Sequence, residues 1–440
     1  MDAAPRALRP LDPAERYFWL LGHCASVTGL LMAELDRQLE PDDIGGALLA
    51  LQRRHPLLRA RVEVVESEPV FVATGGQIPL AVVPVGQGEP IPYAALLGWT
   101  FGPAPDPLAR CVYLPVENED RSALVLMVDH TIIDGSTCHV LLRQLVQGLE
   151  RPDSVGPPSD VVPPPVHERF PEPLRSPRAV LDVLAAIRAE RAGRPEPTGF
   201  PFHARHVTAR RFRHDQLVLD PPAAKRFSEA ARAEGSGVSG RLAAAVLRAS
   251  AALFPEPGER TLLLGSATDL RARVEPPLPA DEVTNAMGML CSPHLVTPDE
   301  NESLSRAIAE QIDREVARGE SHLFYRFARA GTYAGTDAGI ESFARAVDAS
   351  PHNITVSNLG RLSDEGLPAW ARQLSTTMGP GSNQLAFVTA ISFRGALVVN
   401  VATDLAKLEP DVAEQLVSGI AARTGARRVA RSSEPDGVAV

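Results

Sequence analysis

Between Arg121 and His130 the chain reads Ser-Ala-Leu-Val-Leu-Met-Val-Asp, and the six residues 123–128 are all apolar. A strand with one wet face alternates apolar and polar side chains, so an unbroken apolar run of this length belongs to a strand buried on both faces. Such a strand needs neighbours on each side and a layer above and below, which excludes an all-helical bundle. A polar turn, Glu117-Asn-Glu-Asp-Arg121, separates it from a second strand over 111–116. On its other side Asp129-His-Thr-Ile-Ile-Asp-Gly135 leads into a helix with Val140, Leu141, Leu145, Val146 and Leu149 on one side.

The rest of the chain repeats this mixture. Asp12-Pro13 with Glu15 is a helix start, a capping residue followed by proline at the first helical position and an acid in the first turn. A strand is expected over 26–34. Pro41-Asp-Asp43 opens a helix carrying Ile44, Ala47, Leu48 and Leu51 at helical spacing, His55-Pro56 ends it, and 57–65 reads as a strand. Residues 156–177 are rich in proline, which regular helix and central strand do not tolerate, so they read as a linker. A short helix over 180–192 opens a second half with a helix over 240–253, strands over 261–268 and 354–358, a hairpin with arms 386–394 and 396–403, and a last helix over 410–423. The expected class is α/β (α+β) in two lobes, residues 1–175 and 176–440.

Charge and cysteine usage narrow the function. The formal charge is −10, with 44 basic against 54 acidic residues. Lys225 and Lys407 are the only lysines, an imbalance that reflects coding bias more than function. An acidic chain without a basic stripe argues against a nucleic-acid partner. No run approaches the ~20 apolar residues of a membrane span, and no basic segment precedes an apolar one as in a secretory signal. Cys24, Cys111, Cys138 and Cys291 are scattered, as free thiols in a reducing compartment are. A soluble, cytoplasmic monomer is the expectation.

The sharpest local pattern is His130-x-x-x-Asp134-Gly135. Chance alone would place roughly 0.05 such motifs in a chain of this composition, and this one sits where a buried strand turns into a helix, a position that can face a cleft. A histidine there suits general-base work because its ordinary pKa of ~6.5 is near working pH. A solvated loop histidine and a helix-capping aspartate are the plainer reading of the same residues.

Further blocks follow in order: Leu51-Gln-Arg-Arg-His-Pro-Leu-Leu-Arg59, Pro107-Leu-Ala-Arg110, Val238-Ser-Gly240, Thr268-Asp-Leu-Arg271, Asn285-Ala-Met-Gly288 and Ser357-Asn-Leu-Gly360. With the histidine motif they make the chain resemble the condensation-domain superfamily of acyltransferases, most closely the polyketide-associated, phthiocerol dimycocerosyl transferase type. The resemblance spans most of the chain. It implies two chloramphenicol-acetyltransferase-like lobes in a V around a central channel. It further implies an acyl group moved from a thioester, acyl-coenzyme A or acyl-phosphopantetheine on a carrier protein, to a hydroxyl or amine of a specialised metabolite or lipid. The thioester is a co-substrate, and no bound cofactor or metal is expected. Carried over, His130 is the proton acceptor, Asp134 a structural residue with Arg271 as its partner, Gly135 the residue permitting a close turn, and Ser357 and Asn358 substrate-binding residues.

One position departs from that family: many relatives have two consecutive histidines, and Asp129 stands at the first. This keeps open a non-catalytic module that binds a carrier or substrate, and a condensation fold turned to cyclisation or dehydration. Arg53, Arg54, Arg59 and Arg61 form a local basic cluster, either a solvated face or a docking patch for an acyl carrier protein. His203-x-x-His206 and Cys291-x-x-His294 have pair spacing for a metal, but neither has a second pair nearby.

Overall fold

The computed structural model describes residues 7–101, 107–204, 209–297, 303–329 and 331–433. The apolar run lies in the strand Ser122–Asp129, buried at every position. It is the middle of a five-stranded sheet, in the spatial order Ala371–Met378, Thr28–Leu35, Ser122–Asp129, Ala109–Pro115, Leu80–Val82. Its two faces feed different cores. Leu124, Leu126 and Val128 join the cluster covered by the helices Pro41–Arg54 and Gly135–Glu150, while Ala123, Val125 and Met127 pack with Tyr93, Leu97 and Phe212 on the other side. Each fully buried aliphatic side chain here contributes about 1.5–3 kcal/mol. The two covering helices approach closely at Gly148, where an added Cβ would lie 3.3 Å from the Ala47 Cβ.

A seven-stranded sheet is built in the order Met287–Val296, Arg260–Asp269, Asn353–Arg361, Gln384–Phe393, Ala396–Asp404, Phe212–Leu219, Arg427–Ser433. Asn353–Arg361 runs parallel to both neighbours and the other pairs are antiparallel. The alanine-rich helix Gly237–Ala251 and the helix Pro410–Thr424 bury one face of it. A small third sheet joins Ala7–Pro10, Glu68–Ala73 and Ala60–Val65. The architecture is mixed α/β, as expected, and one strand crosses between the halves: Ala371–Met378 pairs antiparallel with Thr28–Leu35, Leu374 opposite Ala33.

Two local expectations differ from what forms. The strand expected over 57–65 begins only at Ala60, after a 3₁₀ turn Pro56–Arg59. Leu57 and Leu58 are both fully buried; a strand would send them to opposite faces, whereas the turn admits both to one core. The proline-rich segment 156–177 is strapped down. It inserts Val166 and Phe170 into a core with Leu270, Val274 and Ala286, and the His167 N–H donates to Asp12 Oδ2 at 3.0 Å. No described helix is long and apolar enough to cross a membrane.

Candidate active site

The loop after the central strand is fixed from within and from across the molecule. The His130 N–H donates to the Val27 carbonyl at 3.0 Å, extending the ladder one residue past the strand. Ile132 and Ile133 then plug the core, so the turn cannot swing out. Asp134 caps the helix Gly135–Glu150, its Oδ1 accepting from the Thr137 N–H at 2.7 Å. A cap satisfies one of the orphan amides of a helix start, but here it is one of several bonds.

Arg271 reaches Asp134 from the second half. Its Nη2 lies 3.0 Å from both carboxylate oxygens and 2.9 Å from Thr137 Oγ1, and its Nη1 donates to the Glu282 carbonyl at 2.9 Å. The Ala286 N–H donates to Asp134 Oδ2 at 2.8 Å. Burial works against the guanidinium charge, yet the Asp134 carboxylate, with Asp269 and Glu282 beyond it, raises the Arg271 pKa. A buried charge is tolerable only when paired and hydrogen-bonded. Beside this pair, Ser136 Oγ donates to Asp269 Oδ2 at 2.7 Å, a second tie between the halves. Gly135 is not in a left-handed conformation; its role is close approach, since a Cβ there would sit 3.2 Å from Leu359 Cγ.

His130 is held differently. Its ring stacks on Phe18, centroids 3.9 Å apart and planes 12° from parallel. Nδ1 is buried and has no hydrogen-bond partner among the described residues. Burial pushes its pKa down to about 4, against smaller opposing effects of its own main-chain carbonyl and of Asp134, so the imidazole is neutral at pH 7. Asp129 does not border the cavity described next. Its Oδ1 accepts from the Thr131 N–H at 2.8 Å, and burial raises its pKa to about 6.

A cavity of about 700 Å³ opens in front of His130. Its floor is the exposed face of the seven-stranded sheet: Leu263, Gly265, Ala267 and Asp269 border it at alternate positions of one strand, a span of roughly 20 Å at the rise of an extended chain. Register sets which residues lie at each end. Asp269 opposite Met287 is at the His130 end; Leu263 opposite Pro293, with Asn353 opposite Gln384, is at the far end. Near His130 the walls are apolar, with Phe18, Leu21, Met287 and Phe324. Arg191 and Arg194 border the cavity as well, and Arg191 Nη2 donates to the Cys291 carbonyl at 3.0 Å.

Ser357 and Asn358 also border the cavity. The Asn358 amide is engaged within the protein, Nδ2 donating to Ser239 Oγ at 3.0 Å and Oδ1 accepting from the Gly360 N–H at 3.1 Å. The fold thus gathers His130, Asp134, Gly135, Ser357 and Asn358 around one space, with Arg271 behind them. Phe18 and Asn285 belong to the same constellation and were missed. Asn285 is fully buried and its Nδ2 donates to the His130 carbonyl at 2.7 Å. Its sequence block was visible, and a buried asparagine requires partners; Phe18 gave no signal.

The remaining candidates fall elsewhere. Arg54 pairs with Asp281, Arg59 with Asp160 and Arg61 with Glu63, so three of the four clustered arginines already face carboxylates. Cys291 and His294 stand an odd number of residues apart on one strand, Cys291 exposed and His294 buried, so they point to opposite faces. His203 packs edge-on against His352, and His206 lies outside the described residues. Among the described residues no three His, Cys, Asp or Glu side chains group as metal ligands would.

Residues 208–372 match the family model described as phthiocerol/phthiodiolone dimycocerosyl transferase C-terminus. No curated protein matches the chain by sequence. Solved structures match it along nearly its whole length. Polyketide synthase associated protein 5 from Mycobacterium tuberculosis is 17% identical with a TM-score of 0.63, over 96% of this chain and 99% of that one. Trichothecene 15-O-acetyltransferase from Fusarium sporotrichioides is 12% identical with a TM-score of 0.69, over 94% of each chain. The condensation domain of the monacolin K polyketide synthase is 14% identical with a TM-score of 0.63, over 96% of this chain and 98% of that one. The chain therefore has the fold of these proteins, and its residues 208–372 are similar to the C-terminal segment of the phthiocerol/phthiodiolone dimycocerosyl transferases.

Proposed function

We propose that the protein transfers an acyl group from a thioester, on coenzyme A or an acyl carrier protein, to a hydroxyl or amine of a small specialised metabolite or lipid, with ester formation as the first choice. The observation that carries this reading is a neutral, half-buried His130 at one end of a cavity that runs roughly 20 Å along the sheet. A thioester on a pantetheine arm has a comparable reach. In the proposed step the acceptor O–H gives its proton to His130 Nε2 as its oxygen attacks the thioester carbonyl. The tetrahedral intermediate collapses, the C–S bond breaks, and the thiolate takes the proton back from the imidazolium. No acyl-enzyme is needed, and no resident cofactor or metal enters the step.

Asp134 and Arg271 act in this reading as the clamp that holds the loop, and Ser357 and Asn358 as cavity-wall residues that contact substrate. The hydrogen bond from the Thr131 N–H to Asp129, and the absence of Asp129 from the cavity wall, support a proton acceptor that works without the first histidine of the pair. The test is an intact-mass and product assay with a panel of acyl thioesters and alcohols, comparing the protein with His130→Ala. Ester formed by the first and not by the second supports the reading; equal turnover in both would exclude the proton-transfer role and favour a binding module.

A further inference from the structure

Away from His130 the cavity changes character. Register places Leu263, Gly265 and Ala267 along the middle of its floor, with Pro293, Cys291 and Met289 opposite them on the edge strand. On the other side the parallel neighbour contributes Asn353, Thr355 and Ser357. One side of this trough is mostly apolar, and the other carries amide and hydroxyl groups.

Those polar groups are wired together. The Gly381 N–H donates to Gln384 Oε1 at 2.6 Å, which fixes the Gln384 amide. Gln384 Nε2 donates to Thr355 Oγ1 at 2.8 Å, and that hydroxyl donates to Asn353 Oδ1 at 3.1 Å. This relay sets which way round the Asn353 amide lies, because the reverse orientation would leave the Thr355 proton without its acceptor. Oδ1 is thus used and Nδ2 is left over. Asn353 is only 6% exposed and borders the cavity, and its Nδ2 has no hydrogen-bond partner among the described residues. Gly265 makes room for the relay, since a Cβ there would lie 2.5 Å from Thr355 Oγ1 and 3.2 Å from Asn353 Oδ1. A buried amide donor that the protein does not satisfy is costly until something in the cavity accepts from it.

We propose that Asn353 is a specificity-determining residue: its Nδ2 donates to a carbonyl oxygen of the ligand, amide or ketone, while the apolar edge of that ligand lies along Met289, Cys291 and Pro293. The amides of a pantetheine arm and a ketone of an oxygenated acceptor both present such an oxygen. Assigning it to donor or acceptor rests on the transferase reading, whereas the preference for a carbonyl does not. Asn353 and His130 stand at opposite ends of the cavity. A bond made there holds ground state and transition state alike, so its loss raises KM and leaves kcat in place.

The experiment adds to the alcohol panel pairs that differ only by a ketone in place of a methylene remote from the hydroxyl. Calorimetry with these pairs and with coenzyme A is run beside steady-state kinetics. Asn353→Asp keeps the acceptor for Thr355 and removes the donor, and Asn353→Leu removes both. Circular dichroism and thermal melting check that they fold, and either variant serves if the other does not. Loss of the donor should weaken binding of the carbonyl ligand ~10-fold, the scale of one hydrogen bond, with kcat within about twofold. A ketone preference of the intact protein that vanishes in the variants, with a raised acceptor KM, assigns the oxygen to the acceptor. A weakened coenzyme A affinity, with a raised donor KM, assigns it to the pantetheine arm. Affinities unchanged in the folded variants, or no binding of either kind of ligand to the intact protein, overturn the inference. Carbonyl binding that depends on Asn353, in a protein that transfers no acyl group from any donor, would instead sink the transferase reading and leave this subsite standing.

Discussion

His130, half-buried, and Asp134, buried, stand four residues apart on one loop, and the protein treats them in opposite ways. Burial without a counter-charge leaves the imidazole neutral, with a pKa of about 4 and an aromatic ring on its face. Burial with Arg271 at 3.0 Å and two main-chain N–H donors keeps an ion pair at the other end. The contrast shows what low dielectric does: it penalises any charge, and only a partner at close range reverses the sign. A neutral imidazole and a paired carboxylate are thus held a turn apart on the same loop.

Removing the two ends should have different signatures. His130→Ala should lower transfer by roughly 10²–10⁴-fold, the usual contribution of a general base, with little change in melting temperature. Asp134→Ala and Arg271→Ala should each cost ~3–5 kcal/mol of stability, because each leaves a buried charge unpaired; urea unfolding measures this. Replacing both should cost less than the two single losses together. If the single variants unfold like the intact protein, the clamp is not structural and the contrast fails.

Acid should sharpen the same comparison. Between pH ~4 and ~6.5 the unfolded chain protonates His130 while the folded chain does not, so this group makes stability rise with pH across that window and fall on acidification. His130→Gln should therefore flatten the dependence of unfolding free energy on pH by about one proton there. Buried Asp129, raised to about 6, acts in the opposite sense and is untouched by that variant. The acidic limb of the transfer rate should lie below pH 5 and not near 6.5. A limb near 6.5 would mean that solvent reaches the ring freely.

The smallest effects should come from Arg54 and Arg59, whose ion pairs are exposed. Alanine there should change stability by ~0–1 kcal/mol. If the donor is an acidic carrier protein steered by this surface, its transfer should fall between 0.1 M and 1 M salt more than transfer from a short, uncharged thioester, as the Debye length shrinks from ~10 to ~3 Å. Equal salt responses would remove the carrier-docking role, and the existing carboxylate partners already weigh against a strong one.

What the sequence alone determined was local and periodic. The central strand announced itself as six consecutive apolar residues, the helix Pro41–Arg54 through the spacing of Ile44, Ala47, Leu48 and Leu51, and the loop between Asp129 and Gly135 through its place between two such patterns. These signals survive because strand and helix periodicity are written within a few residues. The family resemblance, carried by the ordered motifs, also implied Asp134 and Arg271 as partners. Tertiary structure decided the rest. Phe18 reaches the imidazole from more than a hundred residues away, and Asn285 reaches the His130 carbonyl from farther still. The strand Ala371–Met378 joins the first sheet from far along the chain. The paired arginines lost their free charge to acids distant in sequence, such as Asp160 and Asp281. No local pattern encodes such contacts, because each depends on surfaces that exist only once both sheets have packed, and it is this packing that strips His130 of water and sets its charge.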